Sequence, residues 1–364
     1  MTSVVLAGGG TAGHTSPLIA TAERLREADP SVRLTCVGTP KGLESRVIPA
    51  AGLTLRMIPP VPLPRRVTPE LLRVPGRLAG AVRQSIAILD EVDADVVVGF
   101  GGYVSLPVYL AALARRVPVV LHEQNAVPGL ANKIAARFAK VVAVSFPNTP
   151  LPHARHVGLP VRAAIADLDR DTARDAARQA LGFGPDRPLL LVSGGSQGAL
   201  AINNATEAAR DELLARGIDV LHVLGPKNLT DAHVTVEDPD TGARYVPVGY
   251  VDAMEQAYAA ADLMVGRSGA GTVVETATVG LPVVFVPLPH GNGEQARNAD
   301  FLIAGDAGVL VPNAELDGPR LLAEALPLLT DPERLVGMRT RLSGLVPRDA
   351  AADLARIVLE QAGA

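Results

Sequence analysis

Gly8-Gly9-Gly10-Thr11-Ala12-Gly13 matches G-x-G-x-x-G directly after an apolar run. That spacing lets backbone N–H groups close on a phosphate at a helix N-terminus. His14 follows at once. An imidazole has an ordinary pKa of about 6.5, so near pH 7 it is available to take a proton from an acceptor hydroxyl. A polar residue opening a helix is the plain alternative. A dinucleotide site would also want an Asp or Glu about 20 residues further on, at the end of the second strand. That place reads Val37-Gly38-Thr39, so nicotinamide binding is not expected.

Further places along the chain carry chemistry. Gly101-Gly102-Tyr103-Val104-Ser105 and His122-Glu123-Gln124-Asn125 each follow an apolar run. Residues just past the carboxyl ends of parallel strands line the ligand crevice, so these polar side chains form either a site or a structural hydrogen-bond network. Gly194-Gly195-Ser196-Gln197-Gly198 offers a second ring of amide donors and a hydroxyl, suited to a diphosphate, or else a simple tight turn. Arg267-Ser268-Gly269-Ala270-Gly271-Thr272 opens a helix whose first amides point at whatever lies beyond it. Glu275, one turn on, can accept two hydrogen bonds from vicinal hydroxyls; a capping-box contact to Thr272 is the alternative. Gln295 and Asn298 carry amides suited to sugar hydroxyls, or belong to a surface loop.

Placing these residues requires parallel strands, and short continuous apolar runs supply them at 4–7, 34–37, 96–100, 117–121 and 141–144, then at 189–193, 220–224, 263–265 and 283–286. Strands alternating with helical stretches imply doubly wound α/β sheets. Nine strands in groups of five and four imply two copies of one architecture, with a glycine-rich turn after the first strand of each. We place the break at Gly158-Leu159-Pro160-Val161-Arg162, giving domains 1–160 and 161–345, with a C-terminal amphipathic helix in 346–364 packing back on the first.

At 364 residues the chain suits about two domains. Its single cysteine, Cys36, rules out an intrachain disulfide and a multi-cysteine metal site. Residues 1–157 carry a net charge of +7 and the remainder −11, so the basic half is expected to face an anionic surface. The start lacks a basic n-region, and export is not expected. The uncharged stretches 96–114 and 276–293 are broken by Gly and Pro and do not read as membrane spans.

Two phosphate-friendly loops, a ribose-type Glu, amides for sugar hydroxyls and a lone His describe sugar transfer from a nucleotide diphosphate. GGGTAGH, GFGGYVSLP, LHEQNAVPGLANK, VGLPVR, VSGGSQGA and RSGAGTVVETATVGLPVVFVPLPHGNGEQARNA, in that order over nearly the whole chain, resemble the MurG family of peptidoglycan N-acetylglucosaminyltransferases. The resemblance implies a glycosyltransferase-B fold, two Rossmann-like doubly wound parallel-sheet domains facing across a cleft. It also implies inverting transfer of GlcNAc from UDP-GlcNAc to the C4 hydroxyl of undecaprenyl-pyrophosphoryl-MurNAc-pentapeptide, lipid I to lipid II, in cell-wall synthesis, cell shape and division.

The same resemblance makes His14 the general base. It puts Glu275 on the ribose, the Val251 backbone on uracil, and Ser196 with Gln197 on the diphosphate. Ala270, Gln295 and Asn125 would meet the GlcNAc, and Arg162 matches a donor-site arginine. Arg267, Ser268, Gly269, Thr272 and Asn298 complete the donor set, and Thr11, Ala12 and Gly13 join it beside the pyrophosphate. Gly10, Tyr103, Glu123 and Asn132 fall on the acceptor side. No metal and no cofactor are expected, and no nucleic-acid partner; the partners implied are UDP-GlcNAc, lipid I, anionic inner-leaflet lipid and other cell-wall and division proteins, at the cytoplasmic face of the membrane.

Two residues depart from the family pattern. Ala12 stands where relatives often have Gly, and Glu294 where some have Gln, so no sugar contact is assigned to Glu294. Arg65, Arg66, Arg73 and Arg77 interleave with Leu63, Leu71, Leu72, Val74 and Leu78, a strip suited to an anionic interface or to ordinary core packing. D-x-D, a metal motif in another glycosyltransferase fold, occurs at Asp93, Asp167 and Asp238 and reads as chance. Another glycosyltransferase, a sugar-nucleotide epimerase on the same architecture, or a ligand-binding scaffold protein are the competing readings.

Overall fold

Apolar residues alternate between the two faces of the first strand, and that alternation builds a sheet covered on both sides. A computed structural model describes residues 1–61, 73–289 and 293–363. The chain divides into two units, Met1–Arg162 with Pro347–Ala364, and Ala163–Val346.

The first unit runs β1 (Ser3–Ala7), α1 (Ala12–Ala28), β2 (Arg33–Gly38), α2 (Glu44–Ala50), β3 (Thr54–Met57), α3 (Val74–Glu91), β4 (Val96–Gly99), α4 (Gly102–Arg115), β5 (Val119–Glu123), α5 (Leu130–Ala135), β6 (Val141–Val144) and β7 (Ala154–His156). The second runs α6 (Ala163–Ala166), α7 (Arg170–Ala180), β8 (Leu189–Ser193), α8 (Leu200–Ala215), β9 (Asp219–Val223), β10 (Val236–Glu237), β11 (Arg244–Val248), α9 (Met254–Ala260), β12 (Leu263–Gly266), α10 (Ala270–Thr278), β13 (Val283–Phe285), α11 (Glu294–Ala304), β14 (Gly308–Leu310), α12 (Gly318–Leu329) and α13 (Pro332–Leu342). The chain then returns to the first unit as α14 (Ala350–Ala362).

Each unit holds one seven-stranded sheet, ordered β3-β2-β1-β4-β5-β6-β7 and β10-β11-β9-β8-β12-β13-β14. Every pairing is parallel except β10 with β11. In the first sheet Val4 and Leu6 share a core with Leu18 and Leu25 of α1 and with Leu354, Ile357 and Val358 of α14. Val5 and Ala7 face the other way, onto Val104, Val108 and Tyr109 of α4. In the second, Leu190, Val192 and Val265 pack under Ile202 and Leu213 of α8 and Leu321 and Leu328 of α12.

The chain order reverses between β1 and β4 in one sheet and between β8 and β12 in the other. Loops at such a switch point diverge and leave a crevice at the strands' carboxyl ends, where open α/β sheets bind ligands. Both glycine-rich loops open there, residues 8–11 after β1 and 194–199 after β8.

Each expected strand is present. Five further strands, β3, β7, β10, β11 and β14, were not expected; β3, β7, β10 and β14 lie at a sheet edge and are short, and β11 carries Pro247 within its apolar run. One boundary moves with consequence: β5 ends at Glu123, so His122 and Glu123 are the strand's last residues and not part of the loop after it. Among the described residues no helix is long and apolar enough to cross a membrane. Leu63, Arg65, Arg66, Leu71 and Leu72 of the basic strip lie outside the described residues; Arg73 and Arg77 are exposed at the start of α3.

Candidate functional site

The crevice of the first unit is built from the ends of β1, β4 and β5. Thr11 is extended at the N-cap of α1, and Ala12, Gly13 and His14 form its first turn. Thr11, Ala12 and Gly13 are exposed and His14 is half-buried. No acidic side chain sits in that turn, so the helix end keeps its positive character. The amide of Gly10 is already engaged, donating to Oε2 of Glu44 at 2.8 Å. Glu44 is fully buried and also accepts from the amide and hydroxyl of Thr39, at 3.0 and 2.8 Å. Thr39 Oγ1 in turn lies 3.1 Å from the Tyr103 hydroxyl. A carboxylate thus braces the glycine loop from beneath, and the sequence reading missed it because a Glu opening a short helix looks like a dipole residue.

His14 Nδ1 lies 2.8 Å from Oε1 of Gln124. The Gln124 amide nitrogen lies 3.0 Å from Nδ1 of His122 and 2.8 Å from its carbonyl oxygen. His122 Nε2 lies 2.8 Å from the carbonyl of Gly158. His122 is fully buried against Phe100, and burial pushes its pKa down to about 4. Gly102 adopts φ +77°, and a Cβ there would come within 2.7 Å of the Gly9 carbonyl and 3.3 Å of the His14 ring. Only glycine lets the turn after β4 approach the imidazole so closely.

Glu123 and Asn132, expected beside an acceptor, are 2% and 1% exposed. The Glu123 carboxylate accepts from the amides of Asn125 and Gly129, both at 3.0 Å, and from Asn132 Nδ2 at 2.9 Å. Asn132 Oδ1 accepts from the buried Tyr109 hydroxyl at 2.8 Å. These two side chains shape the 124–129 loop from inside, and they are closed off because β5 carries Glu123 into the core. Asn125, in that loop, stays half-buried. Arg162 is exposed.

In the second unit Gly195, Ser196 and Gln197 form an exposed loop tip. Gly198, at φ +74°, seats it: a Cβ there would lie 1.8 Å from the Leu224 carbonyl. Asn228 ties the loop to the next turn, donating to the carbonyls of Gln197 and Leu224 at 3.1 and 2.8 Å. Facing it across the switch point, Gly269 is the extended N-cap of α10, with Ala270 buried and Gly271 and Thr272 half-buried. Glu275 is held by the Tyr258 hydroxyl, which donates to Oε2 at 2.9 Å. Its Oε1 lies on the Gly271 side of the helix, 3.9 Å from where a Cβ at Gly271 would be. Val251 is half-buried in the turn between β11 and α9.

Three expected donor residues take other duties. The Arg267 guanidinium turns inward to the carbonyls of Val286 and Pro287, at 2.9 and 3.1 Å, and to Asn313 Oδ1 at 2.7 Å, and burial lowers its pKa. Ser268 is fully buried, its hydroxyl without a hydrogen-bond partner among the described residues, and Asn298, also fully buried, donates to the Ser268 carbonyl at 3.3 Å. They fix the strand-to-helix turn. Gln295 is half-buried at the start of α11, and its Oε1 accepts from the Leu288 amide at 3.0 Å.

The D-x-D aspartates have structural partners. Asp95 accepts from the Ser3 amide at 2.8 Å, Asp169 caps α7, and Asp238 closes a turn on the amides of Asp240 and Thr241. Among the described residues no three or more His, Cys, Asp or Glu gather in a metal-binding arrangement.

Residues 4–144 match the family model of the glycosyltransferase family 28 N-terminal domain, and residues 189–354 that of its C-terminal domain. A Cutibacterium acnes protein named UDP-N-acetylglucosamine--N-acetylmuramyl-(pentapeptide) pyrophosphoryl-undecaprenol N-acetylglucosamine transferase is 61% identical over 369 residues, covering 100% of this chain and 98% of its own. A protein of the same name from a Nocardioides species is 56% identical, covering 98% of this chain and 97% of its own. The crystal structure of MurG from Acinetobacter baumannii superposes with a TM-score of 0.80 at 28% identity, over 99% of this chain and 100% of that one.

Proposed function

The chain belongs to the MurG family within glycosyltransferase family 28, and from that premise we propose how its two units divide the work. The protein is an N-acetylglucosaminyltransferase that moves GlcNAc from UDP-GlcNAc to undecaprenyl-pyrophosphoryl-MurNAc-pentapeptide, converting lipid I to lipid II in peptidoglycan synthesis. The second unit takes the donor and the first the acceptor. The full-length likeness to named transferases carries this reading and favours it over an epimerase or a scaffold.

Oε1 of Glu275 accepts from the ribose hydroxyls while Tyr258 holds Oε2. The amides that open α10 and the 194–198 loop, with Ser196 and Gln197, take the diphosphate, and the Val251 backbone reads uracil. Ala270, Gln295 and Asn125 meet the sugar, and Arg162 the donor. In the first unit Thr11 to Gly13 present the N-terminus of α1 to the acceptor pyrophosphate, beside Gly10 and Tyr103.

The reaction is a single in-line displacement. His14 Nε2 takes the proton of the acceptor C4 hydroxyl, that oxygen forms the bond to the anomeric carbon from the face opposite UDP, and the carbon–oxygen bond to UDP breaks with inversion. Charge developing on the leaving diphosphate meets amides already aimed at it, a preorganised stabilisation that needs no divalent ion. Basic residues around Arg73 and Arg77 bring the protein to anionic lipid at the cytoplasmic membrane face, where each basic side chain near the surface adds about 1 kcal/mol.

UDP release from UDP-GlcNAc with a soluble lipid I analogue tests the reading. Release that depends on acceptor, prefers UDP-GlcNAc to UDP-GalNAc and survives chelator supports it; turnover of UDP-GlcNAc without acceptor would indicate an epimerase, and loss with chelator would overturn the metal-free step. Flotation with liposomes of varied anionic content tests membrane contact, and binding that ignores lipid charge rejects its electrostatic part.

A further inference from the structure

The hydrogen bonds behind His14 have a fixed direction. A carbonyl oxygen only accepts, so His122 Nε2, facing the Gly158 carbonyl, carries a hydrogen. Gly158 is closely packed: a Cβ on it would lie 3.0 and 3.1 Å from the side chains of Ala350 and Pro347. His122 is singly protonated at neutral pH, because burial holds its pKa near 4, and its Nδ1 is therefore a bare acceptor. One end of the Gln124 amide faces both that Nδ1 and the His122 carbonyl. Two acceptors require the NH2 group there, which settles the orientation of the amide independently of how its atoms are labelled. The other end is then the oxygen, and His14 Nδ1, 2.8 Å away, must be the donor. A neutral imidazole has one N–H, so Nε2 of His14 is left with its lone pair. Among the described residues Nε2 has no hydrogen-bond partner, and it lies on the edge of the ring beside Gly102.

We propose that Gln124 and His122 are positioning residues that hold His14 in its Nδ1–H tautomer, so that Nε2 is permanently the basic nitrogen presented to the acceptor hydroxyl. In water a neutral histidine side chain prefers the opposite, Nε2–H form, which has no lone pair at Nε2 to receive a proton. The relay selects the less common but productive form and prevents the ring from flipping its donor edge outward. It does with an amide and a buried imidazole what a carboxylate does behind the histidine of a serine-protease triad, without placing a negative charge beside the base. The inference rests on His14 as the base, and its test separates the two claims.

The full-length protein labelled with 15N-histidine reports ring tautomers directly by long-range 1H–15N correlation above pH 8, the His14 signals being those missing from His14→Ala. The expected wild-type pattern is a protonated Nδ1 and a bare Nε2 at position 14; the reverse pattern overturns the proposal, whether or not any variant folds. Gln124→Met, similar in size but without the amide, is expected to return His14 to the Nε2–H form and to lower kcat about 10–100-fold, with KM for UDP-GlcNAc unchanged. Gln124→Glu keeps an oxygen opposite Nδ1 and is expected to retain the Nδ1–H form and recover part of kcat. A Gln124→Met protein whose tautomer stays Nδ1–H overturns the relay. One whose tautomer switches while kcat stays at the wild-type value leaves the relay standing and removes His14 as the base.

Discussion

The Tyr258 hydroxyl and the Glu275 carboxylate, on α9 and α10, are joined by a 2.9 Å hydrogen bond to Oε2, with the phenol 3% exposed and the carboxylate half-buried. On the proposed donor reading, Oε1 is the oxygen that meets ribose and Tyr258 positions the carboxylate through Oε2. Tyr258→Phe is expected to weaken UDP binding about fivefold, the value of one ordinary hydrogen bond, while kcat holds. Glu275→Ala removes charge-assisted bonds to the ligand and is expected to weaken it by about 10–100-fold. Calorimetric titration with UDP checks both, and equal losses would contradict a supporting role for the tyrosine.

His14→Ala is expected to lower kcat by about 10²–10⁴-fold, the usual contribution of a general base, and to leave UDP affinity unchanged. Turnover near wild type would remove the assignment.

Gly195 and Gly198 share one loop but not one constraint. Gly195, at φ +87°, has nothing within 4 Å of an added Cβ, so Gly195→Ala is expected to destabilise the second unit by about 1–2 kcal/mol through backbone strain alone. Gly198→Ala drives a methyl into the Leu224 carbonyl and the Asn228 amide and is expected to exceed about 3 kcal/mol. Urea unfolding separates them, and similar losses would mean that the loop relaxes freely.

His122 and His222 are buried histidines whose pKa values are pushed down to about 4 and about 3. An unfolded histidine takes up its proton near pH 6.5, whereas these do so only well below. Stability is therefore complete above about pH 6.5 and is lost as pH falls toward 4, because the unfolded chain binds more protons in that window. Each unit is expected to lose about 2 kcal/mol between pH 7 and pH 5 from its own histidine. Unfolding measured at both pH values checks this, and a flat profile would contradict it.

The doubly wound architecture was legible because buried parallel strands such as Leu189–Ser193 are unbroken apolar runs followed by glycine. Strands like Ala154–His156, exposed and polar, carry no such signal, since edge pairing there is decided by the neighbouring strand. His14, Glu275 and the two glycine loops stood out because their types have few structural uses at those places. Glu44 and Tyr258 did not: their roles come from contacts 34 and 17 residues away in sequence, and no local pattern encodes them. The burial of Glu123, Asn132, Ser268 and Asn298 is not legible in the sequence, where a polar residue near a strand end looks the same whether its side chain faces out or in; a two-residue shift of β5 is enough to turn Glu123 inward.

The return of the chain as α14 fixes when the first unit can mature. Leu354, Ile357 and Val358 are nearly wholly buried against Val4 and Leu6, so one core of the first sheet is completed by residues that follow the whole second unit in the chain. On the ribosome, the unit begun first is completed only after the whole of the second has been synthesised and α14 has left the exit tunnel. Translation halted short of α14 would leave an apolar face of the first sheet bare, the kind of surface that chaperones and proteases engage.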